Sequence, residues 1–222
     1  ECGAMRDQGL DVTLAKLGDA IAEAGIEPEM ADPRKFTAPI DPQSVHQGAA
    51  LEVKPLDWGP VAERCLGDGE RAPRVVLLDR VTDPHNVGAI LRSAEVFGAQ
   101  AVVGTLHHSA PETGALAKTA SGALERQPYL RVPNLAEALS QLKAMGFVLI
   151  GLDGSGSRPL PDLLSDLDGR AICLVLGAEG PGMRDLTTRS CDHVARIPFA
   201  ADFGSLNVSN AAAVALYAAA QR

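Results

Sequence analysis

The sequence predicts an α/β fold over residues 74–222, with a mostly parallel sheet and helices on both faces. One observation is that apolar runs of strand length alternate regularly with segments of helical periodicity. The other is that a run such as "CLVL" before Gly177 is continuously apolar, as in strands buried on both faces. The chain has 222 residues, 46% of them hydrophobic, which is enough to bury a sizeable core.

The elements follow one another in a regular order. The strand-like segments are "VVLLD" (75–79), "AVVG" (101–104), "PYLRV" (128–132), "FVLIGLD" (147–153), "AICLVLG" (171–177) and "HVARIP" (193–198). Apolar residues at helical spacing predict helices over 86–99, near 113–124 and over 135–146, a short helix from Met183 and a closing helix from Asn207. The segment between 153 and 171 is predicted to be a polar loop.

The first part of the chain differs from the rest in both pattern and charge. Residues 12–25 have helical spacing and end at a glycine suited to a helix C-cap, and prolines interrupt the chain after this glycine. Residues 1–70 hold 6 Lys and Arg against 14 Asp and Glu, whereas residues 71–222 hold 14 of each, so the net charge of −8 belongs to the first part. We interpret this part as the end of a small domain followed by a linker.

Composition excludes several classes of protein. No apolar run approaches the length of a membrane span, and the first residues are too charged for a signal-peptide core, so we expect a cytoplasmic protein. The cysteines lack paired CxxC spacing, so neither a zinc site nor a disulfide framework is predicted, and no metal is expected. These cysteines are Cys2, Cys65, Cys173 and Cys191.

The first polar motif is "DPHNVGAILRSAEVFGA", which follows the first predicted strand. Pro84 is expected to fix a turn, Asn86 stands where a helix N-cap would be, and Arg92 falls in the second helical turn, off the apolar stripe. For Asn86 and Arg92 taken alone, a simple helix cap and a solvated arginine are the commoner interpretation.

The second motif, "LVLGAEGPGMRDL", ends an apolar strand at a turn with little side-chain bulk. Glu179 lies between Gly177 and Gly180, and the glycines would let a ligand approach the backbone closely. The third motif is "RIPFAADFGSLNVSNAAAVALY", where a strand ending at Ile197 leads to Ser205, Leu206 and Asn207 before a helix. Taken alone, the second motif is a weak signal, because any Gly-rich turn between a strand and a helix looks the same, and a Ser/Asn helix cap is the better interpretation of the third.

In this order, the three motifs resemble the signature of the SpoU (TrmH-like) family, RNA ribose 2′-O-methyltransferases of the SPOUT superfamily. The resemblance rests on "DPHNVGAILRSAEVFGA", "LVLGAEGPGM" and "RIPF…SLNVSNAAAVALY" and covers roughly residues 74–222. In addition, "VHQGAALEVKPL" (45–56) is similar to the junction between an L30e-like RNA-binding domain and the catalytic domain in the branch that modifies a guanosine of 23S rRNA.

The resemblance implies a fold that periodicity does not show. It implies a SPOUT-type sheet that ends in a deep C-terminal trefoil knot, preceded by part of a small L30e-like α/β domain. The implied domains are a partial L30e-like RNA substrate-binding domain over 1–54, a linker over 55–73 and the SpoU catalytic domain over 74–222. General topology rules alone would have predicted an unknotted sheet.

The resemblance also implies the cofactor S-adenosylmethionine and the residues around it. Gly177, Ile197 and Leu206 are expected to contact the cofactor through backbone groups, with Gly180 allowing close approach. The residues expected around the target ribose are Asn86, Arg92, Glu179, Ser205 and Asn207.

Each polar residue is expected to have a different role. Because a guanidinium stays protonated in proteins, we expect Arg92 to orient the ribose and a neighbouring phosphate rather than to act as a base. We expect Glu179 to fix the loops of the site, and Asn86 and Asn207 to hold the hydroxyl and the loop geometry.

The implied partners are RNA and a second copy of the chain. Ribosomal RNA is expected and tRNA stays an alternative, and the homodimer is expected to pack through the knot helices. Ala211, Ala212, Ala215 and Ala219 would allow close helix packing, either in the core or between subunits. Because the catalytic part is neutral overall, RNA binding requires a local basic surface. The candidates for that surface are Arg80, Arg92, Arg126, Arg131, Arg158 and Arg184.

Two other functions stay open at this point. A protein of this fold could bind RNA or assist ribosome assembly without methylating, although all the expected polar residues are present. A nucleotide-dependent oxidoreductase is disfavoured, because no GxGxxG follows the first strand of the repeating α/β part. His107 and His108 could touch RNA, but an exposed loop pair is the commoner interpretation, and a metal site lacks further ligands.

Overall fold

The computed structural model describes residues 18–29, 32, 50, 52–67, 69, 71–200 and 205–221. The chain divides into two compact units, Glu1–Glu52 and Val53–Arg222. In the first unit, residues 18–23 form helix α1. The helix ends as predicted, because Gly25 has a φ of +65° and the N–H of Ile26 donates to the carbonyl of Ile21. Residues 12–17 of the predicted helix lie outside the described residues.

The second unit is built on a seven-stranded sheet in which all neighbouring strands are parallel. The strand order is β3-β2-β1-β6-β4-β7-β5, so β6 is the central strand and β1 lies next to it. The strands are β1 (Arg74–Asp79), β2 (Ala101–Thr105), β3 (Tyr129–Val132), β4 (Val148–Leu152), β5 (Arg158–Pro159), β6 (Ile172–Gly177) and β7 (His193–Arg196).

Helices connect the strands, as a parallel sheet requires. The helices are α2 (Val61–Arg64), α3 (Pro84–Val96), α4 (Gly114–Ala120), α5 (Leu135–Ala144), α6 (Leu160–Asp166), α7 (Asp185–Ser190) and α8 (Val208–Ala220), with a 3₁₀ turn at Ala123–Glu125. None of the helices among the described residues is long and apolar enough to cross a membrane.

The core lies on both faces of this sheet, as the continuous apolar runs predict. Val76 and Leu78 of β1 pack on one face with α3, α4, α6 and α8. Val75 and Leu77 point to the other face, against α2, α5 and Met183. Because successive side chains of a strand alternate between faces, a strand covered on both sides has to be apolar throughout.

The predicted elements are confirmed between β1 and α8, but three short elements were missed. The segment 153–171, predicted as a polar loop, contains β5 and α6, whose Leu160, Leu163 and Leu164 are buried at helical spacing. The apolar stripe is hard to recognise in the sequence, because the helix has only seven residues and is surrounded by polar residues and prolines. The segment predicted as a linker contains α2, where Val61 and Cys65 are buried in the core of the second unit.

The loop after β2, residues 106–113, is held in place by hydrogen bonds with β3. The buried phenol of Tyr129 donates to the carbonyl of Ala110 over 2.9 Å. The N–H of Leu106 donates to the carbonyl of Val132 over 2.9 Å, and Arg131 donates to the carbonyl of Leu106. Burial raises the pKa of Tyr129 to about 12, so the phenol stays a neutral donor. This loop is therefore held in one place at the carboxyl edge of the sheet.

We expect Tyr129→Phe to lower the free energy of unfolding by about 1–2 kcal/mol, because the buried carbonyl of Ala110 loses its partner. The unfolded phenol ionises near pH 10 and the folded one at about 12, so the contribution of Tyr129 falls as the pH rises between these values. Urea unfolding at pH 8 measures the first effect. A variant as stable as the wild type would show that this bond does not fix the loop.

Candidate active site

Polar residues from three parts of the chain meet at the carboxyl edge of the sheet. Asn86 lies on α3 after β1, Glu179 lies in the loop after β6, and Asn207 precedes α8 after β7. Because the strands are parallel, their carboxyl ends share one edge, which is where open α/β sheets bind ligands. The structure therefore brings together three of the five residues predicted around the ribose.

The carboxylate of Glu179 joins these three segments. Its Oε1 accepts from Nδ2 of Asn86 over 3.2 Å, from Nδ2 of Asn207, and from the N–H of Val208 over 3.4 Å. Nδ2 of Asn207 also donates to Oδ1 of Asn86 over 2.9 Å. We call Asn86, Glu179 and Asn207 the Asn–Glu–Asn cluster.

Helix ends hold both asparagines in place. Asn207 is the N-cap of α8, and its Oδ1 accepts from the N–H of Ser209 over 2.8 Å. The prediction that Asn86 is an N-cap is wrong, because Asp83 caps α3 by accepting from the N–H of His85 over 2.9 Å. Asn86 is instead a buried residue of the first turn. With Asp83 satisfying the helix end, the amide of Asn86 is left for the cluster.

The chain's own backbone explains two glycines of the second motif. A Cβ on Gly177 would lie 2.1 Å from the carbonyl carbon of Gly182, so the turn between them requires glycine. Gly180 has a φ of +82°, a conformation that only glycine adopts cheaply. We expected these glycines to make room for a ligand, but at Gly177 the close neighbour is the turn itself.

The structure does not bring Arg92 and Ser205 into contact with the cluster. Arg92 is exposed on α3 and has no hydrogen bond or ion pair within the described part of the chain. It lies six residues, about 9 Å along the helix axis, beyond Asn86. Ser205 is exposed two residues before Asn207.

The residues predicted to contact the cofactor lie at or after the carboxyl ends of β6 and β7. Ile197, directly after β7, is half-buried against the core, and Leu206 is 40% exposed. The backbone groups of Ser205 and Leu206 form no hydrogen bond with any described residue. No described residue therefore competes with a ligand for these groups.

Sequence reasoning missed the carboxylate of Asp79, which lies at the centre of this edge. Asp79 is fully buried at the end of β1 and is paired in register with Gly177 of β6. Its two oxygens accept from the N–H of Arg184 over 2.9 Å and from Nε of the same residue over 2.8 Å. The sequence signal that could have identified it is an acidic residue at the end of an apolar strand. Such a residue is buried with the strand, and a buried carboxylate requires a partner.

Of the six arginines predicted to form a basic surface, four are engaged. Arg126 pairs with Glu95, Arg158 with Asp166 and Arg184 with Asp79, and Arg131 donates to a backbone carbonyl. Arg80 and Arg92 are exposed and have no such partner within the described residues. Arg80 follows Asp79 directly and has a φ of +63°.

The arrangement suits a neutral ligand with hydroxyl groups. The cluster offers amide donors and acceptors together with one carboxylate, and exposed arginines lie on the same unit. Among the described residues, no three His, Cys, Asp or Glu side chains are placed to hold a metal ion. The chemistry that these groups offer is hydrogen bonding to a polar ligand.

A model of the SpoU rRNA methylase family matches residues 73–217. The chain belongs to the SpoU rRNA methylase family. The resemblance inferred from the three motifs is therefore confirmed. The match begins just before β1 and ends within α8, so it covers the whole sheet and all three loops of the site.

Curated relatives of this SpoU-family chain include two enzymes named 23S rRNA (guanosine-2′-O-)-methyltransferase RlmB. The one from a Burkholderia species is 43% identical over 86% of this chain and 76% of its own length. The one from Pseudomonas aeruginosa is 44% identical over 79% of this chain and 70% of its own length.

Solved structures show the same fold. The SpoU methyltransferase AviRb from Streptomyces viridochromogenes, in complex with the cofactor AdoMet, matches with a TM-score of 0.62 and 31% identity over 72% of this chain. An AdoMet-bound rRNA methyltransferase from Sinorhizobium meliloti matches with a TM-score of 0.66 and 25% identity over 74% of this chain. The match spans 60% and 61% of the lengths of those two chains.

We expect Arg184→Met to lower the free energy of unfolding by about 3 kcal/mol, because it leaves the buried carboxylate of Asp79 without its charged partner. Adding Asp79→Asn removes that buried charge and should restore part of the loss. Urea unfolding of the wild type, both single variants and the double variant measures the coupling. Strictly additive losses would show that the pair contributes no coupling.

Proposed function

We propose that this chain transfers a methyl group from S-adenosylmethionine to the ribose 2′-hydroxyl of a guanosine in 23S rRNA. The observation that carries the proposal is the Asn–Glu–Asn cluster at the carboxyl edge of the sheet, in a chain of the SpoU rRNA methylase family. Support for the substrate comes from the two RlmB relatives at 43% and 44% identity, both named for a 23S rRNA guanosine.

The residues at this edge fit S-adenosylmethionine. The backbone groups of Ser205 and Leu206, which have no partner among the described residues, can bind the polar edge of an adenine. Ile197 and Leu206 can contact its faces. The φ of Gly180 and the open space around its α-carbon leave room beside the turn. Two structural neighbours of this family contain AdoMet. When bound, the cofactor supplies a methyl group on a positively charged sulfur.

The chain's own contribution is to position the ribose. Methyl transfer requires the 2′-oxygen to lie in line with the methyl carbon and the departing sulfur, and the hydroxyl loses its proton as the new C–O bond forms. Asn86 keeps one amide N–H that can bind a hydroxyl of the ribose. Asn207 gives both of its N–H groups to Glu179 and Asn86, so its part is to hold the geometry of the loop. Glu179 fixes both amides by accepting from each of them.

Arg92 has the properties of a substrate-binding cation. It is exposed and has no partner within the described residues, so its guanidinium is free to contact RNA. A guanidinium stays protonated, so Arg92 orients the ribose and a neighbouring phosphate and stabilises the developing negative charge on the 2′-oxygen. Ser205 completes the proposed set of residues around the ribose.

We further propose that the C-terminal part forms the trefoil knot of this superfamily. Close backbone approaches in this part support it. A Cβ on Gly156, in the loop after β4, would lie 2.5 Å from the carbonyl carbon of Ala195 in β7. Arg196 donates to the carbonyls of Gly156 and Ser157 over 2.8 Å, and α8 packs back against α3 and β6.

A homodimer through α8 is part of the same proposal. Ala212, Ala215 and Ala219 are fully buried, so these small residues serve the core. The opposite face of α8 exposes Val214 at 44% and Tyr217 at 55%. The ring of Tyr217 lies edge-on to Phe97 at 5.8 Å, next to Val96, which is 74% exposed. An apolar patch of this kind is typical of an interface.

For the first 54 residues we propose a partial L30e-like domain that binds the RNA substrate, joined through 55–73 to the catalytic domain. Its support is the similarity of "VHQGAALEVKPL" to the junction found in the 23S rRNA branch. Because the proposed substrate is ribosomal RNA, we place the protein in the cytoplasm.

Arg92→Lys keeps the charge but loses the planar fork of donors. We expect turnover on 23S rRNA to fall at least tenfold while cofactor affinity and the free energy of unfolding stay unchanged. The matched control is Arg71→Lys, an exposed residue just before β1, at the opposite edge of the sheet. Turnover of Arg92→Lys close to the wild-type value would exclude the assigned role.

Tyr217→Glu should convert the proposed dimer into a monomer, because it places a charge in the apolar patch on α8. Sedimentation at micromolar concentration measures the mass. Leu66→Glu is the control, since Leu66 is 61% exposed at a position outside this patch. A monomeric wild type would exclude the dimer.

A further inference from the structure

A second cleft lies at the carboxyl edge of the sheet, beside the site described above. It has a volume of about 190 Å³. This volume is smaller than that of drug-sized pockets, which have roughly 300 Å³ or more, and it suits one flat, fused ring system. The residues that matter for its chemistry are Thr105, His107, His108, Asn134, Arg184 and Leu186.

Arg184 joins this cleft to the active site. Its backbone N–H and its Nε are both held by the buried carboxylate of Asp79, which fixes the plane of the guanidinium. Its two terminal nitrogens have no partner within the described residues, and its side chain is 44% exposed. Arg184 follows directly on the loop that carries Glu179, so a group bound here lies next to the proposed ribose site.

The other walls of the cleft suit a flat ring. His107 and His108 are exposed on the loop that Tyr129 fixes, and the imidazole of a histidine can stack on a base. Leu186 contributes an apolar surface that is 59% exposed. Oδ1 of Asn134 accepts from the N–H of Ala136 over 3.0 Å, so its amide N–H groups remain for a ligand.

We propose that this cleft binds an unpaired guanine of the RNA substrate and that Arg184 selects guanine over adenine. This rests on the proposed function, because it assumes that RNA reaches this edge of the sheet. Two parallel N–H donors of an arginine match O6 and N7 of guanine, whereas adenine presents a donor at N6. The fixed guanidinium of Arg184 presents such a pair.

The test is the binding of two labelled pentaribonucleotides, UUGUU and UUAUU, to the full chain, measured by fluorescence anisotropy. We expect the wild type to bind UUGUU about tenfold more tightly, as a bidentate arginine contact predicts. Arg184→Gln is an ambiguous test, because it also removes the partner of buried Asp79. Ser190→Tyr should fill the cleft without changing Arg184 or Asp79, and the bond that it removes is the one from the Ser190 hydroxyl to the carbonyl of Leu186 on the same helix.

Ser190→Tyr should bind both oligonucleotides equally, at the affinity of the wild type for UUAUU. Ser165→Tyr is the matched control, because Ser165 is exposed on α6 and does not line the cleft, and it should keep the preference. Equal or undetectable binding of the two oligonucleotides by the wild type would overturn the proposal, and so would a preference that Ser190→Tyr retains. The assay involves no methyl transfer, so a missing methyltransferase activity would not be mistaken for a missing guanine preference.

Discussion

The site depends on the hydrogen bonds that the carboxylate of Glu179 accepts. It accepts from Asn86 on α3, from Asn207 at the start of α8 and from the N–H of Val208, so one side chain joins the segments that come after β1, β6 and β7. These segments lie far apart in the sequence and meet only because a parallel sheet puts all its carboxyl ends at one edge. Without the carboxylate, two asparagine amides and a helix N-terminus would lose a shared acceptor.

The Asp79–Arg184 pair and a tight turn fix the loop that carries Glu179. Asp79 is fully buried at the end of β1, next to the central strand β6, and binds Arg184, which comes after the turn that carries Glu179. The turn itself is closed by the contact of Gly177 with the backbone of Gly182. A site that has to align a hydroxyl with a methyl group gains from such fixed geometry, because small displacements slow the reaction. Arg92 and the residues of the second cleft, which we propose to bind RNA, belong to the same compact unit as this cluster.

The sequence predicted the strands from β1 to β4 and β6 to β7 well, because their apolar runs are long and the helices between them have clear periodicity. It missed α6, whose stripe of leucines spans only seven residues among prolines and polar residues. It identified Asn86, Glu179 and Asn207 through the order of three family motifs, since each motif alone also fits a helix cap or a turn. The pairing of Asp79 with Arg184 joins residues 105 positions apart, and no local pattern specifies it. For the same reason the proposed knot has no periodic signal.

The most direct measurement is mass spectrometry of the nucleosides released from 23S rRNA after incubation with the protein and methyl-labelled S-adenosylmethionine. The rRNA should come from cells that lack the corresponding modification, with tRNA from the same cells treated in parallel. We predict labelled 2′-O-methylguanosine from 23S rRNA and none from tRNA. Label only in tRNA would contradict the proposed substrate. Label on a base, or no label in either RNA with folded protein that binds the cofactor, would contradict ribose methylation itself.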